Sequence, residues 1–564
     1  MTAILGLNAF HGDAAAALVV DGELIAAAEE ERFNRIKHCA GFPTEAARWC
    51  LADAGLGAGD LDHVAVSRDP RANLWPKLRR ALRTRPRYVK ARLENARRVG
   101  DIRGELEHAL GSEVRAALHT VEHHQAHAAS AFFVSPFEEA AILSVDGFGD
   151  FASTLLALGR GNCIEVLDRV LFPHSLGILY TAVTQWLGFP KYGDEGKVMG
   201  LAPYGDPERH LERMRDLVRF DRLFELGLEY FRHPREGVDL TWAEGTPTIG
   251  RLYSERLVEA FGEPRQDADV AAALQAVLEE AYLHLVRGLE RRTGLRNICL
   301  AGGVALNAVA NGRIRPETGF DGIYVQPAAG DSGTAVGAAY WVWNQHLGEP
   351  RSFVMEHAYT GPAYSAEESA SAAAAAGLQG VQLPDEELFS EVARRIADGQ
   401  VVGWFQGRME FGPRALGNRS IVVDPRRADM KDVLNERIKH REPFRPFAPS
   451  ILAEATGEWF EQDYPSPFMV LVYKTRPEKR AEIAAVNHVD DTGRLQTVEE
   501  RVNPRYHRLI SEFARLTDVP VVLNTSFNEN EPIVMSPEQA VETFRKTRMD
   551  ALVLGNLVIS RLGT

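Results

Sequence analysis

Cysteine is scarce in this chain: Cys39, Cys50, Cys163 and Cys299 are the four present, and no two of them form a Cys-x-x-Cys pair. That spacing excludes a disulfide scaffold, a thioredoxin-type site and a zinc ribbon, and a reducing cytoplasm suits it best. Long apolar runs are missing too, because no uncharged apolar stretch reaches the roughly 18 residues of a membrane-spanning helix. Met1 to Asp13 carries no basic segment followed by a purely apolar one, so neither secretion nor membrane insertion is expected. Positive charge is in deficit: 64 Lys and Arg against 78 Asp and Glu leave a net charge of −14. Such a molecule repels nucleic acid and anionic lipid as a whole, and any anion it handles must be met by a local site.

What is present is material for large cores. The 564 residues, 45% of them apolar and 25% charged, allow three or four domains or two large α/β ones in a soluble globular protein. Ile4 to Leu7 and Ala14 to Val20, then the Asp21-Gly22 turn and Glu23 to Ala28, read as strands of a hairpin. A second copy follows: Ile142 to Phe148 matches Ile4 to Phe10, with Asn8 opposite Asp146 and Gly12-Asp13 opposite Gly149-Asp150, then a turn at Gly159 to Gly161. The simplest inference is an internal duplication of a hairpin-led α/β lobe. Helical spacing over Asp267 to Arg292 and short strands at Asn297 to Leu300 and Gly322 to Gln326 continue the layering. Gly348-Glu349-Pro350, Gly361-Pro362 and the run Ala370 to Ala376 break the pattern before a strand at Val401 to Phe405, which places a boundary near 355–385 and domains over 1–360 and 380–564. Near the end, Ser536-Pro537-Glu538-Gln539 predicts a helix start with Ser536 as N-cap and Gln539 completing a capping box.

Two constellations carry chemistry. His123 and His127 share one face of a predicted Ala-rich helix. Alone, they read equally as packed core histidines. Asp146 and Asp331 both stand at strand-end loops, where α/β sites collect. Two imidazoles and two carboxylates suit Fe(II), Mn(II) or Zn(II), and ligand type does not choose among them. The Gly302-Gly303 turn, before a helix predicted over Val304 to Ala310, exposes backbone N–H groups of the kind that attract phosphate. The second constellation is cationic: Arg408, Arg414 and Arg419 lie among Gly and Pro, followed by Lys439, Arg441 and Arg445 on an aromatic strip. Guanidinium forks meet phosphate bidentately, so a small polyanion is the expected guest; a solvated face paired with Asp424, Asp429, Glu436 and Glu442 is the competing reading. Leu523 to Asn528 adds a strand ending in amide and hydroxyl groups.

These residues resemble the NodU/CmcH-type O-carbamoyltransferases over essentially the whole chain. The resemblance rests on Leu7-Asn8-Ala9-Phe10-His11, Glu29 to Phe33, His123-x-x-x-His127, Asp146-Gly147, Gly330-Asp331-Ser332-Gly333, Phe411 to Gly417 and Asn524 to Asn528. It implies an actin/Hsp70-like (ASKHA) duplicated α/β domain followed by an α+β YrdC-like domain. In the latter, carbamoyl phosphate and ATP, with Mg(II) accompanying the nucleotide, would yield carbamoyl adenylate and pyrophosphate. Arg414, Lys439, Arg445, Arg494, Asn524 and Ser526 would hold the phosphates and the carbamoyl group. In the first domain His123, His127, Asp146 and Asp331 would hold Fe(II), and a hydroxyl of a natural-product acceptor, as in antibiotic biosynthesis, would attack the carbamoyl carbon. His11 is the candidate general base, since an imidazole near pKa 6.5 is poised to take that proton. A homodimer is usual for the family. The Cys-x-x-Cys zinc fingers of the related hydrogenase-maturation enzyme are absent.

Two rivals share these folds: threonylcarbamoyl transfer to tRNA, and a nucleotide-switched ASKHA scaffold. The overall charge opposes RNA, but from Arg68 to Arg103 thirteen Lys and Arg face three acidic residues, a local +10. Arg79, Arg80, Arg83, Arg87 and Arg97 alternate there with Leu78, Leu82, Val89 and Leu93, predicting helices with outward cations. Acceptor contacts are expected from the least motif-like stretches, 68–110 and 205–265.

Overall fold

In the computed structural model, which describes residues 1–81, 101–238, 240–242, 245–263 and 267–561, the chain opens with strands Ala3–Asn8 (β1), Ala15–Val20 (β2) and Glu23–Glu29 (β3). β1 is buried at every position, as a central strand covered on both faces must be. Asp21 and Gly22 both have positive φ, 48° and 87°, the type I′ geometry that matches strand twist across a two-residue loop. His63–Val66 (β4) and Ala117–Thr120 (β5) complete a sheet of order β3-β2-β1-β4-β5, antiparallel on the hairpin side and parallel on the other.

The plan then repeats. Glu139–Gly149 (β6), Ala152–Arg160 (β7), Cys163–Leu171 (β8), Asn297–Ala301 (β9) and Gly322–Val325 (β10) form a sheet of order β8-β7-β6-β9-β10, with the same alternation of antiparallel and parallel pairs. The duplication expected from the sequence is thus present in both strand order and strand direction. The second hairpin turns one step later than the sequence suggests: Arg160 pairs with Cys163, so Gly161 (φ 53°) and Asn162 make the turn and Gly159 stays in the strand. There, a Cβ would come within 2.6 Å of the Phe132 ring.

After the last strand of each copy comes a helix that packs on the sheet of the other copy: His123–Phe132 (α1) against β6, β7 and β9, and Gly333–Tyr340 (α3) against β1 and β2. Between β8 and β9 runs Ala268–Thr293 (α2), capped by Asp267 and ended by left-handed Gly294. α1 and α3 touch through small residues. A Cβ on Gly337 would sit 1.8 Å from the Ala126 carbonyl oxygen, and one on Gly6 of β1 would sit 2.0 Å from that of Ala335. The helix expected over Val304 to Ala310 is broken instead: a 3-10 turn, Gly303–Leu306, gives way at Asn307, whose side chain caps a separate helix, Ala308–Gly312.

Residues Met1–Met355 and Glu356–Thr564 cluster as two units. The second is built on nine strands, in spatial order Val381–Gln382, Leu557–Ser560, Ala551–Leu554, Val402–Phe405, Arg419–Val423, Val521–Ser526, Ala448–Leu452, Thr492–Val498 and Leu471–Lys474. Helices Asp385–Ala397 and Pro504–Thr517 pack together over it, burying Leu388, Val392, Leu509 and Phe513. At Ser536 the cap forms, but Gln539 reaches back to the Met535 N–H rather than to that of Ser536, so the capping box is offset by one residue. The basic stretch is described only at its two ends, with a helix over Leu74–Ala81 and Ile102 starting the next; the helices expected over 82–100 lie outside the described residues.

The helix contact yields a paired expectation. Gly337→Ala forces α1 and α3 apart and should cost about 1–3 kcal/mol, read as a melting temperature lower by several degrees. Gly288→Ala, in α2 with open space around it, should instead gain about 0.5–1 kcal/mol. A neutral Gly337→Ala would show that the two helices do not need their close approach.

Candidate metal centre and anion pocket

The first unit gathers His123, His127, Asp146 and Asp331. Glu122 accepts the Gln125 N–H and starts α1, which leaves His123 and His127 one turn apart on its inner face, both fully buried. Asp146 sits inside β6 where the ladder to β7 breaks between Val145 and Gly149, so it does not end the strand as the sequence suggests. Asp331 lies in the turn before α3. The His123 and His127 Nε2 atoms are 3.1 Å apart; Asp146 Oδ2 is 3.1 and 3.7 Å from them, and Asp331 Oδ1 3.5 and 3.6 Å. A cation about 2.1 Å from each ligand atom of a tetrahedral set needs edges of about 3.4 Å. Asp331 Oδ1 is buried without a hydrogen-bond donor. The donor set therefore fits a divalent transition metal.

Neighbours aim these ligands. The Gly303 N–H donates to Asp146 Oδ1 at 3.0 Å, which turns Oδ2 toward the histidines. That use of the Gly302-Gly303 turn differs from the phosphate cradle its sequence suggested, for Gly302 packs against the Val145 backbone and the Gly303 N–H is taken. A Cβ on Gly149 would fall 1.9 Å from the His123 ring, so only glycine leaves that ring its place. His11 rides a turn with positive φ at Phe10 (57°) and Asp13 (55°), tied down by Asn8, whose Nδ2 donates to the carbonyls of Gly12 and Asp13 at 2.9 and 3.0 Å. Its Nδ1 meets Asp331 Oδ2.

Charge follows geometry. Burial lowers the pKa of His127, but the Asp146 and Asp331 carboxylates outweigh it and raise the group to about 9. Burial likewise opposes ionisation of Asp146, and the hydrogen bonds from His123 and His127 still hold it well below the usual carboxylate range. His11 is raised, burial being overcome by Asp331. His123 is lowered by burial. His124, bonded to Ser144 at 2.8 Å, is pushed down to about 3 by burial and is a packed core histidine.

The second unit sorts the predicted cations into two kinds. Arg419 is structural: fully buried, it donates to the carbonyls of Met535, Gly407, Asn418 and Pro362 and stacks on Phe405. Arg408 binds the Thr360 carbonyl, and Arg445 pairs with Glu442 at 2.8 Å. Lys439 is buried and ties down the turn beyond the Val521–Ser526 strand, reaching the Ser526 and Asn528 carbonyls at 2.7 Å and Asn528 Oδ1 at 2.8 Å. Arg414 and Arg494 are different. Half-buried, neither has a hydrogen bond or ion pair among the described residues, and the Nε of each is an orphaned donor. Arg414 is presented by a turn wrapped around Glu410, whose Oε1 accepts the N–H groups of Leu416, Asn418 and Arg419. Burial pushes Arg414 down to about 10 and Arg441 to about 9; Arg494 is held well below the usual guanidinium range by burial and by the positive charges of Arg414 and Arg441. Arg414 and Arg494, crowded this way with no carboxylate partner among the described residues, make a pocket awaiting an anion.

Sequence reasoning placed Arg441 in the basic run without assigning it a site, and it passed over Ser450 and Gln496, which hold Asn524 through hydrogen bonds of 3.1 and 3.0 Å. Their signal is weak: single polar residues at inward strand positions, visible only once the strands are paired.

Residues 3–340 match the carbamoyltransferase N-terminus family and residues 393–561 the carbamoyltransferase C-terminus family. The nodulation protein NolNO of Sinorhizobium fredii is 42% identical over 98% of this chain and 80% of its own length. An uncharacterised Synechocystis protein is 42% identical over 100% of this chain and 97% of its own. The 3'-hydroxymethylcephem-O-carbamoyltransferase of Amycolatopsis lactamdurans is 32% identical over 61% of this chain and 60% of its own. The chain belongs to the carbamoyltransferase family.

Proposed function

We propose that this protein is an ATP-dependent O-carbamoyltransferase acting on a hydroxyl of a small-molecule acceptor, in keeping with the cephem enzyme's name. The observation that carries the proposal is the pair of cations without partners, Arg414 and Arg494, beside Arg441 in the second unit. Carbamoyl phosphate releases inorganic phosphate to water, and the carbamate left behind attacks the α-phosphorus of ATP, expelling pyrophosphate and forming carbamoyl adenylate. Arg414, Arg441 and Arg494 neutralise the phosphates, Arg445 adds positive charge beside Arg441, and Lys439 keeps the Asn524 to Asn528 turn in shape. Mg(II) accompanies the nucleotide.

Transfer falls to the first unit. The acceptor oxygen attacks the carbamoyl carbon, AMP leaves, and the hydroxyl proton passes to His11 Nε2, because Asp331 already holds Nδ1. A divalent ion held by His123, His127, Asp146 and Asp331, which we take as Fe(II), would supply positive charge to the adenylate phosphate. Asp331 would thereby serve two partners, the ion through Oδ1 and His11 through Oδ2.

Three measurements test this reading. Metal must displace the proton that His127 carries below about pH 9, so affinity should climb about tenfold per pH unit from pH 7 toward 9 and then level off, with about one proton released per ion at pH 7. Calorimetry in buffers of different ionisation heat reads both; a pH-independent affinity contradicts it. Arg494→Met relieves like-charge repulsion, so it should raise the melting temperature of the ligand-free protein while cutting carbamoyl-phosphate-dependent pyrophosphate release at least about a hundredfold. A variant both less stable and fully active would remove the anion pocket. Finally, His127→Ala should abolish product formation yet leave pyrophosphate release within about threefold of the parent; equal loss of both activities in a folded protein would mean that one site does both steps.

A further inference from the structure

Asn524 is held on one side by three acceptors. Its Nδ2 faces the Ala415 carbonyl at 3.1 Å, Ser450 Oγ at 3.1 Å and Gln496 Oε1 at 3.0 Å. A backbone carbonyl only accepts, so the atom facing Ala415 must be the nitrogen. Gln496 is fixed by the same logic, since its Nε2 donates to the Leu416 carbonyl at 2.8 Å; its Oε1 must then turn inward, where Ser450 Oγ donates to it at 2.7 Å. Two carbonyls of one turn thus set both amides. All the donor capacity of Asn524 is spent, and its Oδ1 is left buried with no donor.

Strand register says where that oxygen lies. Ala448 pairs with Asn524, and Ser450 pairs with Gln496. Arg494, two residues before Gln496 in the same strand, projects to the same face and lies level with Ala448, whose methyl leaves room beside it. Ala415 is the residue after Arg414. The orphaned acceptor therefore sits among the cations that have no partner, and its guest must carry an N–H donor only a few bonds from a phosphate. The amino group of carbamoyl phosphate does, three bonds from phosphorus; the amino group of adenine is far from any phosphate of its nucleotide.

Resting on the reading of this face as the carbamoyl-donor site, we propose that Ser450 and Gln496 are positioning residues that lock the Asn524 carbonyl oxygen inward, and so make the site select an acyl phosphate bearing NH2 over one bearing methyl. The Ala415 carbonyl fixes which end of the Asn524 amide is nitrogen, and the two side chains fix its tilt; with both removed, the oxygen is no longer held in line with the guest's N–H, which weakens the preference without touching the arginines. Acetyl phosphate is the matching probe, having methyl in place of the amino group.

The test measures binding of carbamoyl phosphate, acetyl phosphate and inorganic phosphate to the full-length protein by calorimetry. The parent should prefer carbamoyl to acetyl phosphate by at least about tenfold. The double variant Ser450→Ala/Gln496→Leu, which leaves the Ala415 carbonyl as the one acceptor of these three for the Asn524 amide, should lower that ratio at least about threefold, with inorganic phosphate affinity changed by less than about twofold, and Ser450→Thr, which keeps the hydroxyl, should retain the preference. Melting curves identify the folded variants. A parent without preference, or a folded double variant that keeps the parental ratio, overturns the inference. Loss of preference in the variants, in a protein that releases no pyrophosphate, would uphold it while sinking the adenylation reading.

Discussion

Everything in the first unit depends on how closely two helix starts can approach. α1 and α3 bring ligands from positions 123 to 127 and 331 into one cluster, and the approach exists because Gly337 and Ala126 put almost nothing between the two backbones. Alanine fills most of the remaining α1 face, with Ala126, Ala128, Ala129 and Ala131 fully buried. Larger side chains would hold the helices apart, and the four ligand atoms, now within 3.1 to 3.7 Å wherever a pair is in contact, would lose the spacing that a metal requires.

The second unit depends on the opposite device, a repulsion left standing. Burial lowers the proton affinity of Arg494 and the charges of Arg414 and Arg441 lower it again, and neither Arg414 nor Arg494 has a carboxylate partner among the described residues, although Glu410 and Glu442 are close in sequence. Glu410 is occupied by three backbone N–H groups and Glu442 by Arg445. Anionic side chains near the pocket are thus committed elsewhere, and the empty role is reserved for a ligand. A site built before its guest arrives generally costs stability.

Much of this was legible in the chain. The hairpin repeat could be read because a two-residue Asp-Gly turn and a fully apolar strand are local signals, and the i, i+4 histidines could be read because helix geometry fixes their common face. What could not be read is non-local. Nothing in Arg419 distinguishes it from Arg414 until backbone carbonyls are seen to surround the first and, among the described residues, none the second. The Gly302-Gly303 turn looks like a phosphate cradle until its N–H is found on Asp146. Ser450 and Gln496 acquire meaning only from strand pairing across long separations.

One pair of matched positions has a wider consequence. Asn8 and Asp146 occupy the same place in the two hairpins and differ by a single atom in the side chain. Asn8 must donate, for its NH2 closes the turn that carries His11, and its oxygen takes the Ser67 hydroxyl. Asp146 must only accept, receiving the Gly303 N–H on one oxygen and facing the histidines with the other. Exchanging the two would set a carboxylate against two carbonyls at one end and leave the metal cluster short of charge at the other. A symmetric ancestor built from two identical lobes could have had one of these ends or the other, not both. The chemistry lies in the difference between the lobes, while their likeness supplies only the frame that brings the two ends together.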